Sequence, residues 1–249
     1  MVHVPSDYSS YNPSKAEVLL CSLAGVAAGG VVGYVFYEHI VAIAVGAIAA
    51  AIYVNLYYIK SRTEAVKNKL LLQFRDMLES LSSSVSAGAN ILAALATAQK
   101  DMESLHGSDS YIACELQHIN DGVAANQNLE LLLSEFGSRS GLQEVKSFAN
   151  VFETCNRLGG NIREVSDITC QIICDKIEVR QEILTVVSAK KTEQLAMLVM
   201  PMVFVMLLKG LGASIADMSS AIGRVSSTVA LVLFALSYFI SCRILKIEL

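Results

Sequence analysis

The sequence predicts an all-α integral membrane protein, in which two transmembrane helical hairpins flank a cytoplasmic helical bundle. Three observations predict it. The 249 residues are 53% hydrophobic and only 17% charged, against ~25% charged in an ordinary soluble domain. The mean hydropathy of +0.50 is too apolar for one soluble globule and too low for a chain lying wholly in lipid. The apolar residues fall into four runs in two pairs, and the block between the pairs repeats its apolar positions every three or four residues, as one face of an α-helix does. The organisation that follows is a cytoplasmic N-terminal segment (1–17), hairpin 1 (18–59), the bundle (60–194), hairpin 2 (195–242) and a cytoplasmic tail (243–249).

Val18–Tyr37 and Ile40–Ile59 are each twenty residues without a charge, enough to cross a hydrocarbon core of ~30 Å. Only Glu38 and His39 separate them, which reads as a tight hairpin. A secretory signal peptide fits poorly, because its apolar core is ~7–15 residues and no second span follows at once. The third run reaches from Leu195 to Leu208 and the fourth is Val225–Cys242, with a short polar turn, Ser214–Arg224, between them. Cations set the orientation. Lys60, Arg62, Lys67 and Lys69 follow the second run, Lys190 and Lys191 precede the third, and Arg243 and Lys246 follow the fourth. The positive-inside rule therefore puts 60–194 and both termini in the cytoplasm of a multi-pass cell-membrane protein.

Gly25, Gly29 and Gly33 stand four apart, a smooth stripe on which another helix backbone can approach closely. Ala42, Gly46, Ala49 and Ala50 answer it from the second run. Packing within the hairpin is the favoured reading, with dimerisation through the stripe as the alternative. Lys209 sits about one turn from the outer end of the third run and is expected to snorkel to the headgroups. Pro201 is expected to kink that span.

In the middle block, Leu70, Phe74, Met77, Leu81 and Val85 share a helical face, as do Val145, Phe148, Phe152 and Cys155; Ile162, Val165, Ile168 and Ile172 open a third stripe. Three segments, SAGANILAAL, AANQNLELLL and LGGNIREVSD, each place small or polar residues before an Asn and an aliphatic residue after it. Asn90, Asn128 and Asn161 are good N-caps, since their side chains can accept from the free N–H groups of a first helical turn. Glu164, three residues after Asn161, makes a capping box. Gly88, Gly159 and Gly160 suit the left-handed position past a helix end. The expected helices are roughly 64–87, 90–104, 111–123, 128–139, 141–158 and 161–194.

The charge excess lies in this block. It holds 14 Lys and Arg against 18 Asp and Glu, and the flanks hold 5 of each. With no basic excess there is no nucleic-acid footprint. No phosphate-binding glycine loop, HExxH, GxSxG or CxxC occurs, so no catalytic residue and no cofactor are expected, and the protein is read as a non-enzyme. The best metal ligands are Cys114 with His118 and Cys170 with Cys174, each pair at i, i+4, which could make a tetrahedral zinc site if their helices faced each other. Cytosolic cysteines more commonly serve as small buried hydrophobes, and no metal is the expectation. Glu178, Arg180 and Glu182 read as the solvated face of a long helix, with a docking face as the sharper reading. The cations flanking the spans (Arg62, Lys67, Lys69, Lys190, Lys191) are explained by topology and by membrane lipid headgroups, with partner contact as the alternative.

The two-plus-two layout, the SAGANILAAL turn and RLGGNIREVSDIT leading into a basic-flanked hairpin resemble the type II secretion system F domain. More narrowly, they resemble the inner-membrane platform proteins of tight-adherence (Flp-type) pilus machines. The resemblance covers about residues 65–205, with Leu158–Val165 its most specific part and Ser86–Asn90 in support. A single copy of the domain favours the tight-adherence type, in which two homologous proteins share the work, because the general secretion proteins carry two copies. Family members often place a Pro near position 75, where this chain has Arg75. The resemblance implies a non-enzymatic platform under a growing pilus. Its partners would be a cytoplasmic hexameric secretion ATPase, a homologous platform subunit or a second copy of itself, and prepilins.

Two competing classes are carried by other features. A small polytopic transporter or channel with a cytoplasmic regulatory domain would use Lys209, Asp217 and the kinked third span, yet the first two spans supply almost no polar lining. A metal-dependent membrane enzyme would rest on Cys114, His118, Cys170 and Cys174.

Overall fold

The computed structural model describes Tyr8, residues 15–37, 40–158 and 162–210, and positions 229, 232, 233, 236, 237, 239, 240 and 243. Among these residues the protein is all-α and no strand occurs. The helices are α1 (Lys15–Tyr37), α2 (Ile40–Ser86), α3 (Ile91–His106), α4 (Tyr111–Ala124), α5 (Leu129–Ser140), α6 (Gln143–Leu158) and α7 (Ile162–Gly210). They form two compact units. Unit 1 comprises residues 1–11 and 61–181, and unit 2 comprises residues 12–60 and 182–249.

The boundaries follow from local chemistry. Between Ala47 and Ala87 the chain has neither Gly nor Pro, so nothing stops α2 where the charges begin at Lys60. The expected helix start near residue 64 is therefore corrected: the second apolar run and the first bundle helix are one element. Arg75 lets α2 pass unbroken, as a Pro there would not, and its guanidinium pairs with Asp76 at 2.9 Å. Gly88, at φ +98°, ends α2. Its N–H donates to Val85 O and that of Ala89 to Ser84 O, the paired bonds of a Schellman turn. Asn90 Oδ1 then accepts from Ala93 N–H at 2.7 Å and caps α3. Asn128 Oδ1 accepts from Glu130 N–H at 3.0 Å and caps α5. Ser110, a cap that the sequence reading passed over, does the same for α4, where the buried Gln73 side chain also accepts from Ile112 N–H. Gly159, Gly160, Asn161 and the side chain of Glu164 lie outside the described residues.

Unit 1 is built around the apolar face of α2. Leu70, Leu71, Phe74, Leu78 and Leu81 are almost fully enclosed. Phe74 makes edge-on contacts with Phe136 of α5 and Phe148 of α6, with ring centroids 6.1 and 6.0 Å apart, the offset geometry that aromatic quadrupoles favour. The short helices follow one another closely in space, α3 packing on α4, α4 on α5 and α5 on α6. α7 contributes Cys170, Ile173 and Ile177 to the core. Here the sequence reading is corrected again: Ile168 and Ile172, expected on the buried stripe, are 50% and 62% exposed.

In unit 2, α1 and α2 lie antiparallel through their small residues. A Cβ on Gly25 would stand 2.6 Å from Ala51 Cα, and one on Gly29 would stand 2.8 Å from Ala47 Cα and collide with the Gly46 carbonyl oxygen. The described part of the stripe is thus filled by the chain's own second helix, while at Gly33 of α1 and Ala42 of α2 the description covers the backbone alone. Gly29→Val should force the helices apart and cost about 1–3 kcal/mol, as overpacking does. Gly30→Val, with nothing within 4 Å of the added atom, should leave stability unchanged; thermal unfolding of the two variants in detergent checks the contrast. Away from the seam the hairpin turns large aliphatic side chains outward, among them Leu19, Leu20, Leu23, Ile48, Ile52 and Leu56.

Among the described residues no helix is long and apolar enough to cross a membrane. The side chains at 31–37 of α1, 40–43 of α2 and several from 198 to 210 of α7 fall outside the description, and this leaves no described apolar stretch of the ~20 residues that a span takes. Pro201 lies inside α7. The side chain of Lys209 and all of Asp217 are outside the described residues, and in the fourth run the described positions are helical.

Candidate functional site

The polar chemistry of unit 1 is internal and concentrates at two places. At the first, Glu115 of α4 is completely enclosed. It sits among Ile112, Leu116 and Ile119, one turn from two of them, on the face that α4 turns to the core. Arg139, near the end of α5, donates to its Oε2 at 2.5 Å. Tyr8 donates its phenol to Oε1 at 3.0 Å, and the Tyr8 backbone N–H donates to Arg139 O. Burial, followed by the Glu115 charge and hydrogen bond, pushes the Tyr8 phenol up, so it stays a donor at every physiological pH. The Tyr8 ring meets Tyr111 edge-on. Tyr8 is therefore tied to the bundle by a side chain and a backbone bond.

At the second place, Glu144 of α6 is 3% exposed, and its Oε1 faces both Lys176 and Arg180 of α7 at 3.4 Å. Arg180, expected on a solvated face, is instead half-buried and clamps α7 to α6. Neither Glu115 nor Glu144 was singled out in the sequence. The available signal was a carboxylate on an otherwise apolar helix face, which calls for a cationic partner from a neighbouring helix.

The four candidate metal ligands are not brought together. Cys114 of α4 is buried, with Sγ 3.7 Å from Ser108 O. Cys170 lies in the core of α7, and Cys174 Sγ points to Arg75 O at 3.8 Å. Among the described residues no group of three or more His, Cys, Asp or Glu side chains could hold a metal ion. Burial pushes the Cys170 thiol up to about 12 and that of Cys174 up to about 11. At pH 8 the thiolate fraction is then about one in a thousand or less, and alkylation of either residue should require unfolding, a point that mass spectrometry after iodoacetamide treatment checks. The sign for stability follows. Below about pH 9 folded and unfolded chains both keep these protons. Above it the unfolded chain loses them first, so stability falls as the pH rises toward 11.

The basic residues flanking the apolar runs are partly occupied within the chain. The Lys67 ammonium reaches over the α5–α6 turn at Gly141, 3.1 Å from where a Cβ there would lie. Lys69 lies over the Tyr111 ring at 5.8 Å, a cation–π distance. Lys190 pairs with Glu193 at 2.7 Å. Arg62 and Lys191 are exposed.

Comparison of the chain with protein-family models, with curated proteins and with solved structures finds no match.

Proposed function

We propose that this chain is an inner-membrane platform protein of a type II secretion or tight-adherence pilus machine. In this reading it sits in the cell membrane as a multi-pass protein with both termini in the cytoplasm, and it couples a cytoplasmic ATPase to pilin assembly or protein secretion. It performs no chemistry of its own.

One observation carries the reading, the opposite treatment of apolar side chains in the two units. Unit 1 encloses Leu70, Phe74, Leu78, Leu81 and Phe136 and carries its ion pairs in and around that core, as a domain facing water does. In unit 2 the α1–α2 hairpin is drawn together by glycines while Leu19, Leu20, Leu23, Ile52 and Leu56 point outward, 59% to 67% exposed. That pattern suits a hydrocarbon solvent, where small residues make the helix contacts and large aliphatics face lipid. The uncharged runs Val18–Tyr37 and Ile40–Ile59 have the length for it, and the burial of Tyr8 in unit 1 supports an N-terminus on the bundle's side of the bilayer. The sequence segments Ser86–Asn90 and Leu158–Val165 supply the resemblance to the platform family.

The coupling is tested by co-purifying the full-length protein in detergent with a hexameric secretion ATPase from the same cell. Retention of the ATPase, together with loss of surface filaments when the chain is deleted, is the expected result. A folded protein that retains no ATPase and whose deletion leaves filaments unchanged would refute the reading.

A further inference from the structure

A helix packed on a core by one face normally turns its most polar line to water. α7 does the reverse along part of unit 1. Cys170, Ile173 and Ile177 are buried, and the line on the opposite side of the helix reads Ile168, Ile172, Asp175, Val179 at spacings of four, three and four. Its three aliphatic members are 50%, 62% and 55% exposed, and Asp175 is exposed among them. From Ile168 to Val179 is eleven steps of about 1.5 Å, which makes this line about 16 Å long, three turns, the footprint of one amphipathic helix laid along it.

Charge decides what covers the line. Among the described residues Asp175 and the neighbouring Glu178 have no ion pair, while Lys176 and Arg180, the cations beside them in the sequence of α7, are both held by Glu144. A second copy of this helix fits badly. Laid parallel it sets Asp175 against Asp175, and laid antiparallel about the middle of the line it sets Asp175 against Ile172; either way a carboxylate is covered without a counter-charge, which is strongly unfavourable. An anionic lipid surface is repelled by the same two carboxylates.

We propose that the Ile168–Ile172–Asp175–Val179 line of α7 is a docking strip for an amphipathic helix of a different protein, one that carries an Arg or Lys between its aliphatic residues. The aliphatic contacts supply affinity, and the cation opposite Asp175 fixes register and excludes wrong partners. The inference stands independently of the pilus reading.

The chain contains no tryptophan, so Ile172→Trp in the full-length protein reports this strip alone. The protein is placed in nanodiscs. It is titrated with a 21-residue helical peptide bearing heptad-spaced leucines and one Arg at the position facing Asp175, and with a twin bearing Glu there. The expected result is a solvent-exposed emission spectrum that brominated lipid does not quench and that shifts to the blue saturably with the Arg peptide. The Glu twin should bind at least about tenfold more weakly, and Asp175→Lys, an exposed change that leaves the core untouched, should reverse the order. Quenching by brominated lipid, a blue shift that grows with protein concentration in the absence of peptide, equal binding of the twins, or binding of neither would each overturn the proposal.

Discussion

Replacing Arg139 by alanine is expected to lower the stability of the protein by about 3–5 kcal/mol, because it strands the fully enclosed carboxylate of Glu115 without its cation. The loss exceeds the worth of the ion pair itself. Glu115 would keep only the Tyr8 phenol as a donor, inside a helix face of Ile112, Leu116 and Ile119 that offers no water. A drop in unfolding temperature on the order of 10 °C, read by circular dichroism in detergent, is the scale to expect for a bundle of this size. The double variant Arg139→Met, Glu115→Leu removes both charges together and should recover most of the loss. Arg139→Met alone separates desolvation from packing: it keeps an aliphatic stem, so it should be nearly as damaging as Arg139→Ala if the stranded carboxylate is the cause, and nearly neutral if Arg139 acts only through its stem.

Phe74→Ala should be of similar size, about 3–5 kcal/mol, for a different reason. Phe74 is 1% exposed and is the ring on which α5 and α6 meet, through Phe136 and Phe148. Removing it leaves a cavity bounded by three helices, and the surrounding backbone is held by capped turns at Asn90, Ser110 and Asn128 that limit collapse. Leu105→Ala, at a side chain 68% exposed, should change stability by less than about 0.5 kcal/mol. Chemical denaturation of the two variants side by side checks the contrast, with a smaller midpoint shift for Phe74 than for Leu105 as the contrary result.

The all-α character was legible in the sequence because its signals are local. A side-chain oxygen at Asn90 or Asn128 and a glycine at position 88 act on the backbone within four residues, so the motif alone carries the helix start or stop. Ser110 was missed because it lies in a polar stretch, Gly107–Ser110, where every residue could cap. The upstream reach of α2 was missed because a change from apolar to charged side chains looks like a boundary but breaks no backbone hydrogen bond. The commonest stop signals, a Gly past the helix end or a Pro, are absent there. On α7 aliphatic residues occupy both faces, so the period allows two stripes. Which one is buried is settled by the neighbours of Ile173 and Ile177, and the sequence reading chose Ile168 and Ile172, the outer one. The internal polar sites were illegible for the opposite reason from the caps. Tyr8 and Glu115 are 107 residues apart, and nothing in either local segment announces the other. Glu144 with Arg180 is the same case across 36 residues.

The account rests on a helical bundle lying on one side of a bilayer that the apolar pairs cross. Single cysteines at Ser108, in the exposed turn between α3 and α4, and at Asp217, in the polar segment between the third and fourth apolar runs, test it in one labelling experiment with a membrane-impermeant maleimide, in a variant whose native cysteines are replaced. The account predicts that in intact cells position 217 is labelled and position 108 is not, and that 108 becomes reactive once the membrane is permeabilised. Labelling of both positions in intact cells, or of 108 alone, would contradict it.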